Sequence, residues 1–186
     1  MCEAFEKTLI GHCAPTLAGH KFGSLFNLHG VSHTACAACL AEINALLQPK
    51  GVNARLLKDC KDCCLIYVYR PARLQAKLED MAVRAFLAEC GYADASLDLL
   101  LEQLTRRITS CADFPHEIGV FLDYPLEDVK GFIANRGANY TCLGCWKAYG
   151  NAQEAQRRFS LYRKCKTVYQ TCYQRGFGVM RLTVAA

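Results

Sequence analysis

Apolar positions recur at helical spacing over most of the chain and give way to β-rich runs in a few short places. Thr34 to Leu47 reads as a helix with Cys36, Cys39, Leu40, Ile43 and Leu47 on one face, closed by Pro49-Lys50-Gly51. Two strands follow, Asn53–Leu57 and Leu65–Arg70, joined through Asp59-Cys60-Lys61-Asp62 as a hairpin and ended by Pro71. Asp80 is placed to cap a helix that faces inward through Val83, Phe86, Leu87 and Cys90 and stops at Gly91. Ser96 opens another, with Leu97, Leu100, Leu101, Leu104 and Ile108 in phase. Pro115 suits a first helical position ahead of Ile118, Phe121 and Leu122. Tyr124-Pro125 breaks the chain, and a further helix buries Val129, Phe132 and Ile133 before Gly137. A short strand is expected around Trp146–Tyr149, the longest helix over Ala152–Tyr173, and a last strand over Val179–Val184. Near the N-terminus, Pro15-Thr16 opens an apolar stretch, Leu17–Leu28, that reads as a helix despite two glycines. Four short strands among mostly non-alternating helices predict an α+β fold, a small antiparallel sheet of about four strands covered by helices.

The chain has 186 residues, 52% of them hydrophobic and 21% charged, which suffices for a compact core and argues against disorder. No Pro/Gly/Ser-rich linker or repeat interrupts it, so residues 1–186 are expected to form a single domain. The first residues, Met1-Cys2-Glu3-Ala4-Phe5-Glu6-Lys7, lack the basic region and apolar stretch of a secretory signal. The longest strongly apolar run, Cys63–Tyr69, falls far short of the ~20 residues of a membrane-spanning helix. A cytoplasmic location without membrane insertion is the expectation. The net charge of +5 is uneven: residues 145–186 hold eight basic residues against one acid, Glu154. That segment is either a solvated helix surface or a face for an anion.

Thirteen cysteines are the abnormal feature, and an odd number cannot all pair within the chain. In a reducing compartment they are free thiols, metal ligands or catalytic groups. Three C-x-x-C pairs occur: Cys36/Cys39, Cys60/Cys63 and Cys142/Cys145. A tetrahedral zinc needs four converging thiolates, usually presented by tight turns. The first pair instead shares the apolar face of its helix and reads as core filling. Cys60, Cys63 and Cys64 lie at a hairpin turn, where exposed neighbouring thiols can bind metal or oxidise. Cys142 and Cys145 flank Leu143-Gly144 and make the better metal pair, with iron or zinc as the cofactor. Cys165 and Cys172 share a stripe with Ala155, Phe159, Tyr162 and Tyr169 and read as buried. Cys13, in His12-Cys13-Ala14-Pro15-Thr16, falls at the expected start of the first helix, where the helix dipole favours a thiolate. His116, in Phe114-Pro115-His116-Glu117-Ile118, is its candidate base.

Several segments together are similar to a known family. They are His12–Gly19 (HCAPTLAG) followed by Ser24-Leu25-Phe26, and Tyr67-Val68-Tyr69-Arg70-Pro71. Phe114–Phe132 (FPHEIGVFLDYPLEDVKGF) is the most specific, followed by Trp146-Lys147-Ala148-Tyr149-Gly150 and Tyr162-Arg163-Lys164-Cys165. The chain resembles domain-of-unknown-function family 3793, small bacterial proteins common in anaerobes, over nearly its whole length. The resemblance implies one domain and gives a hint toward metal or redox physiology, but it names no reaction. It puts Cys13, Arg70, His116, Glu117, Trp146, Lys147 and Cys165 in family motifs. Asp123 stands where the family's pattern leads one to expect glycine before Tyr-Pro, and the thiols at 36, 39, 60, 63 and 64 look particular to this sequence.

Three functions compete. The first is cysteine-centred chemistry on a small anionic ligand, with Cys13 as nucleophile, His116 and Glu117 beside it, and Arg70, Trp146 and Lys147 binding the ligand. The second is an iron, zinc or redox accessory protein using C-x-x-C thiols. The third is a nucleic-acid or protein-binding module, because residues 115–135 have the outline of a helix–turn–helix. Glu127 and Asp128 at the start of its second helix carry the wrong sign for DNA. No P-loop or G-x-G-x-x-G is present.

Overall fold

The structure, a computed structural model, describes residues 3–60, 63–110 and 114–185, with the Cys60 side chain excluded. The protein is α+β, and its described residues group into two compact units: residues 1–74 with 164–186, and residues 75–163.

In the first unit, α1 (Glu3–Leu17) leads into β1 (Gly23–His29), α2 (His33–Leu47) and the hairpin β2 (Asn53–Cys60) and β3 (Cys63–Tyr69). The strands form an antiparallel sheet in the order β1-β3-β2. Gly23 pairs with Tyr69 and His29 with Cys63 on one side of β3, while Asn53 pairs with Tyr69 on the other. The central strand β3 is buried from Cys64 to Tyr69, so it shows no alternation. One core runs through Phe5, Leu9, Cys13 and Leu17 of α1, Phe26 and Leu28 of β1, and Ile43 and Leu47 of α2. Full burial of each large side chain there stabilises by about 1.5–3 kcal/mol.

The N-terminal third departs from the sequence expectation. Leu17–Leu28 is not a helix. Helix α1 ends at Leu17, with Gly19 in the left-handed region at φ +76° and the His20 N–H donating back to Pro15 O. From Ser24 the burial then alternates, with Ser24, Phe26 and Leu28 inward and Asn27 exposed, which is strand period. The C-terminal expectation also fails: Val179–Leu182 is one helical turn, α9, and not a strand. The Val179 N–H at its start donates to Glu6 Oε1 of α1 at 2.7 Å. The hairpin between β2 and β3 is as expected, although Lys61-Asp62 at its tip lies outside the described residues.

The second unit holds α4 (Met81–Glu89), α5 (Leu97–Ser110), α6 (Ile118–Phe121) and α7 (Leu126–Ala134), then the two-residue strands β4 (Cys142–Leu143) and β5 (Lys147–Ala148). Asp80 caps α4 as the sequence suggests, Oδ1 accepting from the Ala82 and Val83 N–H groups. Two helices continue through the division between the units: α3 (Pro71–Leu78), which the sequence reading lacks, and α8 (Ala152–Gln174). Pro71 does end β3, but it also occupies the first position of α3, where a missing N–H costs nothing. Three of the four expected strands are present as β2, β3 and β5; with β1 and β4 they form a three-stranded sheet and a separate small hairpin.

Candidate functional site

The second unit contains a cleft of about 380 Å³ between α6, α7 and the β4–β5 hairpin. Its floor follows from two close approaches. A side chain at Gly119 would meet Val129 Cγ2 at 2.7 Å, so glycine lets α6 and α7 touch. A side chain at Gly144 would meet the Phe159 ring at 2.2 Å, so the hairpin turn lies directly on α8. Between α6 and α7 the chain reverses at Asp123, whose φ is +62°. That left-handed conformation explains why glycine suits the position. Asp123 is held there by Arg158, which donates to its carbonyl at 2.7 Å and lies 3.5 Å from its carboxylate.

Asp128, in the first turn of α7, organises the site. It is buried, and its carboxylate accepts three hydrogen bonds. Oδ2 takes the Trp146 indole N–H at 2.7 Å, and Oδ1 takes the backbone N–H groups of Tyr149 at 2.7 Å and Gly150 at 2.9 Å. The hairpin is thereby fastened to α7. Trp146 stacks on Tyr124 at 5.0 Å, meets Phe159 edge-on at 4.4 Å, and has Arg158 5.2 Å from its ring centre. Burial pushes the Tyr124 hydroxyl up to about 12, with the nearby Cys145 adding to the shift.

Polar groups enter from two sides. His116 is exposed and edge-on to Phe132 at 4.9 Å, and among the described residues neither of its ring nitrogens has a hydrogen-bond partner. Lys147 donates from Nζ to Gly137 O at 2.7 Å and lies over the Phe132 and Tyr140 rings at 5.9 and 5.2 Å. Cys145, in the hairpin turn, is the exposed one among the described cysteines. The structure therefore gathers His116, Cys145, Trp146 and Lys147 around one cleft. A larger hollow of about 450 Å³ in the same unit is bordered by Ala85, Ala88, Ala93 and Ala95 and the Arg84–Asp94 ion pair, and holds none of these groups.

The other candidates have different surroundings. Cys13 lies in the first unit, fully buried near the C-terminal end of α1, where the helix dipole opposes a thiolate. Burial pushes its thiol up to about 12, so the helix-start argument for its reactivity fails. Arg70 is buried in the same unit, donating to Thr16 O, Leu17 O and Val184 O at 2.8 to 2.9 Å. Its fork caps the end of α1 and ties the C-terminal segment to it. Glu117 is buried beside the cleft residues but accepts from Arg107 Nε at 2.7 Å and Tyr92 Oη at 3.4 Å, which anchors α6 to α5.

Among the described residues no group of three or more His, Cys, Asp or Glu side chains is disposed to hold a metal ion, so Cys142 and Cys145 have no third ligand of that kind. Of the turn thiols, Cys64 is buried and hydrogen-bonds with Cys36, its Sγ lying 3.7 Å from Asp59 Oδ1. The Cys60 side chain lies outside the described residues. Sequence reasoning missed Asp128, read only as a charge unfavourable to DNA, and the aromatic walls Tyr124 and Phe132. The one signal for Asp128 was an acid in the first turn of a helix.

The fold and the cleft define a small α+β protein with an aromatic-walled site. A family model described as "Protein of unknown function (DUF3793)" matches residues 9–183, and the chain belongs to that family. No curated protein and no solved structure matches it. No helix among the described residues is long and apolar enough to cross a membrane.

Proposed function

We propose that the protein binds a small organic molecule in the cleft between α6, α7 and the β4–β5 hairpin. The observation that carries this reading is that His116 and the consecutive residues Cys145, Trp146 and Lys147, two separate stretches of sequence, line one apolar cleft of about 380 Å³. A concave, mostly apolar site with a few polar groups is the usual form of a small-molecule pocket, and this volume lies in the usual range. The thirteen thiols suit a reducing, cytoplasmic location. Trp146 is the only tryptophan in the chain, so all indole emission originates at this site. Titration with anilinonaphthalene sulfonate should give saturable energy transfer from Trp146 with one molecule bound per chain. Transfer that is absent, or that rises without saturating, overturns the reading.

Cysteine-centred chemistry has a second, narrower form, favoured by the exposure of Cys145 at the same cleft. In it the bound molecule meets the Cys145 thiol rather than that of Cys13. Alkylation of Cys145 should then abolish probe binding, and a Cys145→Ala variant should bind normally but lose any covalent product. Equal binding before and after alkylation counts against this form.

A further inference from the structure

The polar side chains lining the cleft are His116, Tyr124, Asp128, Cys145, Trp146 and Lys147. Asp128 is the only carboxylate among its described lining residues, and all three hydrogen bonds described above occupy it. The same contact turns the Trp146 N–H into the protein, so the indole offers a ligand no donor. The remaining side chains with hydrogen-bonding capacity toward the opening include Lys147 and His116. Lys147 uses one of its three N–H donors on Gly137 O, and no other described residue accepts from it. Around these groups the walls are aromatic: Phe114, Tyr124, Phe132 and Trp146.

Such a site has donors and a cation at one end, flat π surfaces along its sides, and no open carboxylate to meet a positive ligand. A ligand cation would find its one candidate carboxylate buried and engaged by three N–H donors, and drawing it away would release the hairpin from α7. We infer that the ligand is a planar aromatic anion, an arene carboxylate or sulfonate, with its acidic group at Lys147 and His116 and its ring against the aromatic walls. This inference rests on the proposed cleft and specifies what fills it.

Two probes separate the inference from the reading beneath it. Anilinonaphthalene sulfonate and phenylnaphthylamine share one ring system and differ by the sulfonate, and both accept energy from tryptophan. Apolar partition alone favours the neutral probe. A charge-assisted contact should make the wild-type chain bind the sulfonate about tenfold more tightly. Lys147→Met, which keeps the length and apolar stem, should weaken the sulfonate about tenfold and leave the neutral probe unchanged. Binding of the neutral probe also shows that the variant is folded; if it is not, His116→Gln replaces it with a smaller expected loss. Equal binding of both probes by wild-type chain, or a sulfonate affinity unchanged by Lys147→Met, overturns the anion assignment while the cleft stands. Failure of both probes to take energy from Trp146 overturns the cleft itself.

Discussion

The Trp146 indole N–H donates to Asp128 Oδ2 at 2.7 Å, a bond between the β4–β5 hairpin and α7 across 18 residues of sequence. The other carboxylate oxygen accepts two backbone N–H groups just beyond β5. One buried side chain thus fixes the orientation of the indole and the seat of the strand pair, and both faces of the cleft depend on it.

Asp128→Asn tests that dependence. An amide offers only one oxygen, so its NH₂ must face either the indole N–H or the two backbone N–H groups, donor against donor. The loss of charge-assisted bonds and the unsatisfied donors should cost about 2–4 kcal/mol in urea unfolding, with a red-shifted Trp146 emission. Wild-type stability with unchanged emission would contradict the clamp.

The seat of the hairpin can be disturbed from below. A Cβ at Gly144 would stand 2.2 Å from Phe159, and that contact is a ring buried in the core. Gly144→Ala should destabilise by about 1–3 kcal/mol through forced repacking, and should weaken probe binding at the cleft. An alanine variant as stable as wild type would show that the hairpin does not lie on α8 as described.

Arg70 stands in a family motif, yet its guanidinium is spent on three backbone carbonyls. Arg70→Ala should cost about 3 kcal/mol or more in urea unfolding, because buried carbonyls lose charged donors. Probe affinity at the cleft should not change where the variant is folded. A stable variant that has lost probe binding would restore Arg70 as a ligand residue.

Stability should fall on the alkaline side. Burial moves the Cys13 thiol from 9.0 to about 12, and burial first, then Cys36 and Asp59, moves Cys64 the same way. Between those values the folded chain keeps protons that the unfolded chain releases. The contribution is therefore full below about pH 9 and is lost progressively as the pH rises above it. Urea unfolding across that range checks the sign, and a flat or rising stability contradicts it. Burial keeps the Cys13 thiol protonated and out of reach at pH 8, so iodoacetamide should label the exposed Cys145 well before Cys13 in folded protein.

Legibility in the sequence followed the range of the interactions involved. Helices α2, α4, α5 and α7 and the β2–β3 hairpin carry their own signals in caps, breakers and spacing, and all are present. The two misread segments depend on distant partners. Met180–Val184 alternates like a strand, but Val179–Leu182 is a helical turn whose first N–H is held by Glu6, 173 positions away. The Leu17–Leu28 stretch hides a helix end and a strand because Gly19 closes the one just before the other begins. The boundary between the two units falls inside α3 and α8, so no shift in composition marks it. Half of the candidate site was visible as residue types: His116, Cys145, Trp146 and Lys147. Cys145, Trp146 and Lys147 are neighbours in the sequence; what it hides is their seat against α7, which runs through Asp128, whose three partners are 18 to 22 residues ahead of it. The same misplaced boundary put Cys13 at a helix start, whereas it lies near the end of α1.

The most direct test is an amide and indole nitrogen–proton correlation spectrum recorded as anilinonaphthalene sulfonate is added. The account predicts saturating shifts concentrated at Gly119, Phe132, Gly144, Cys145 and the single indole signal of Trp146, with the hollow bordered by Ala85 and Ala88 unmoved. Shifts that gather at that hollow, or that scatter over the surface without saturating, would contradict it.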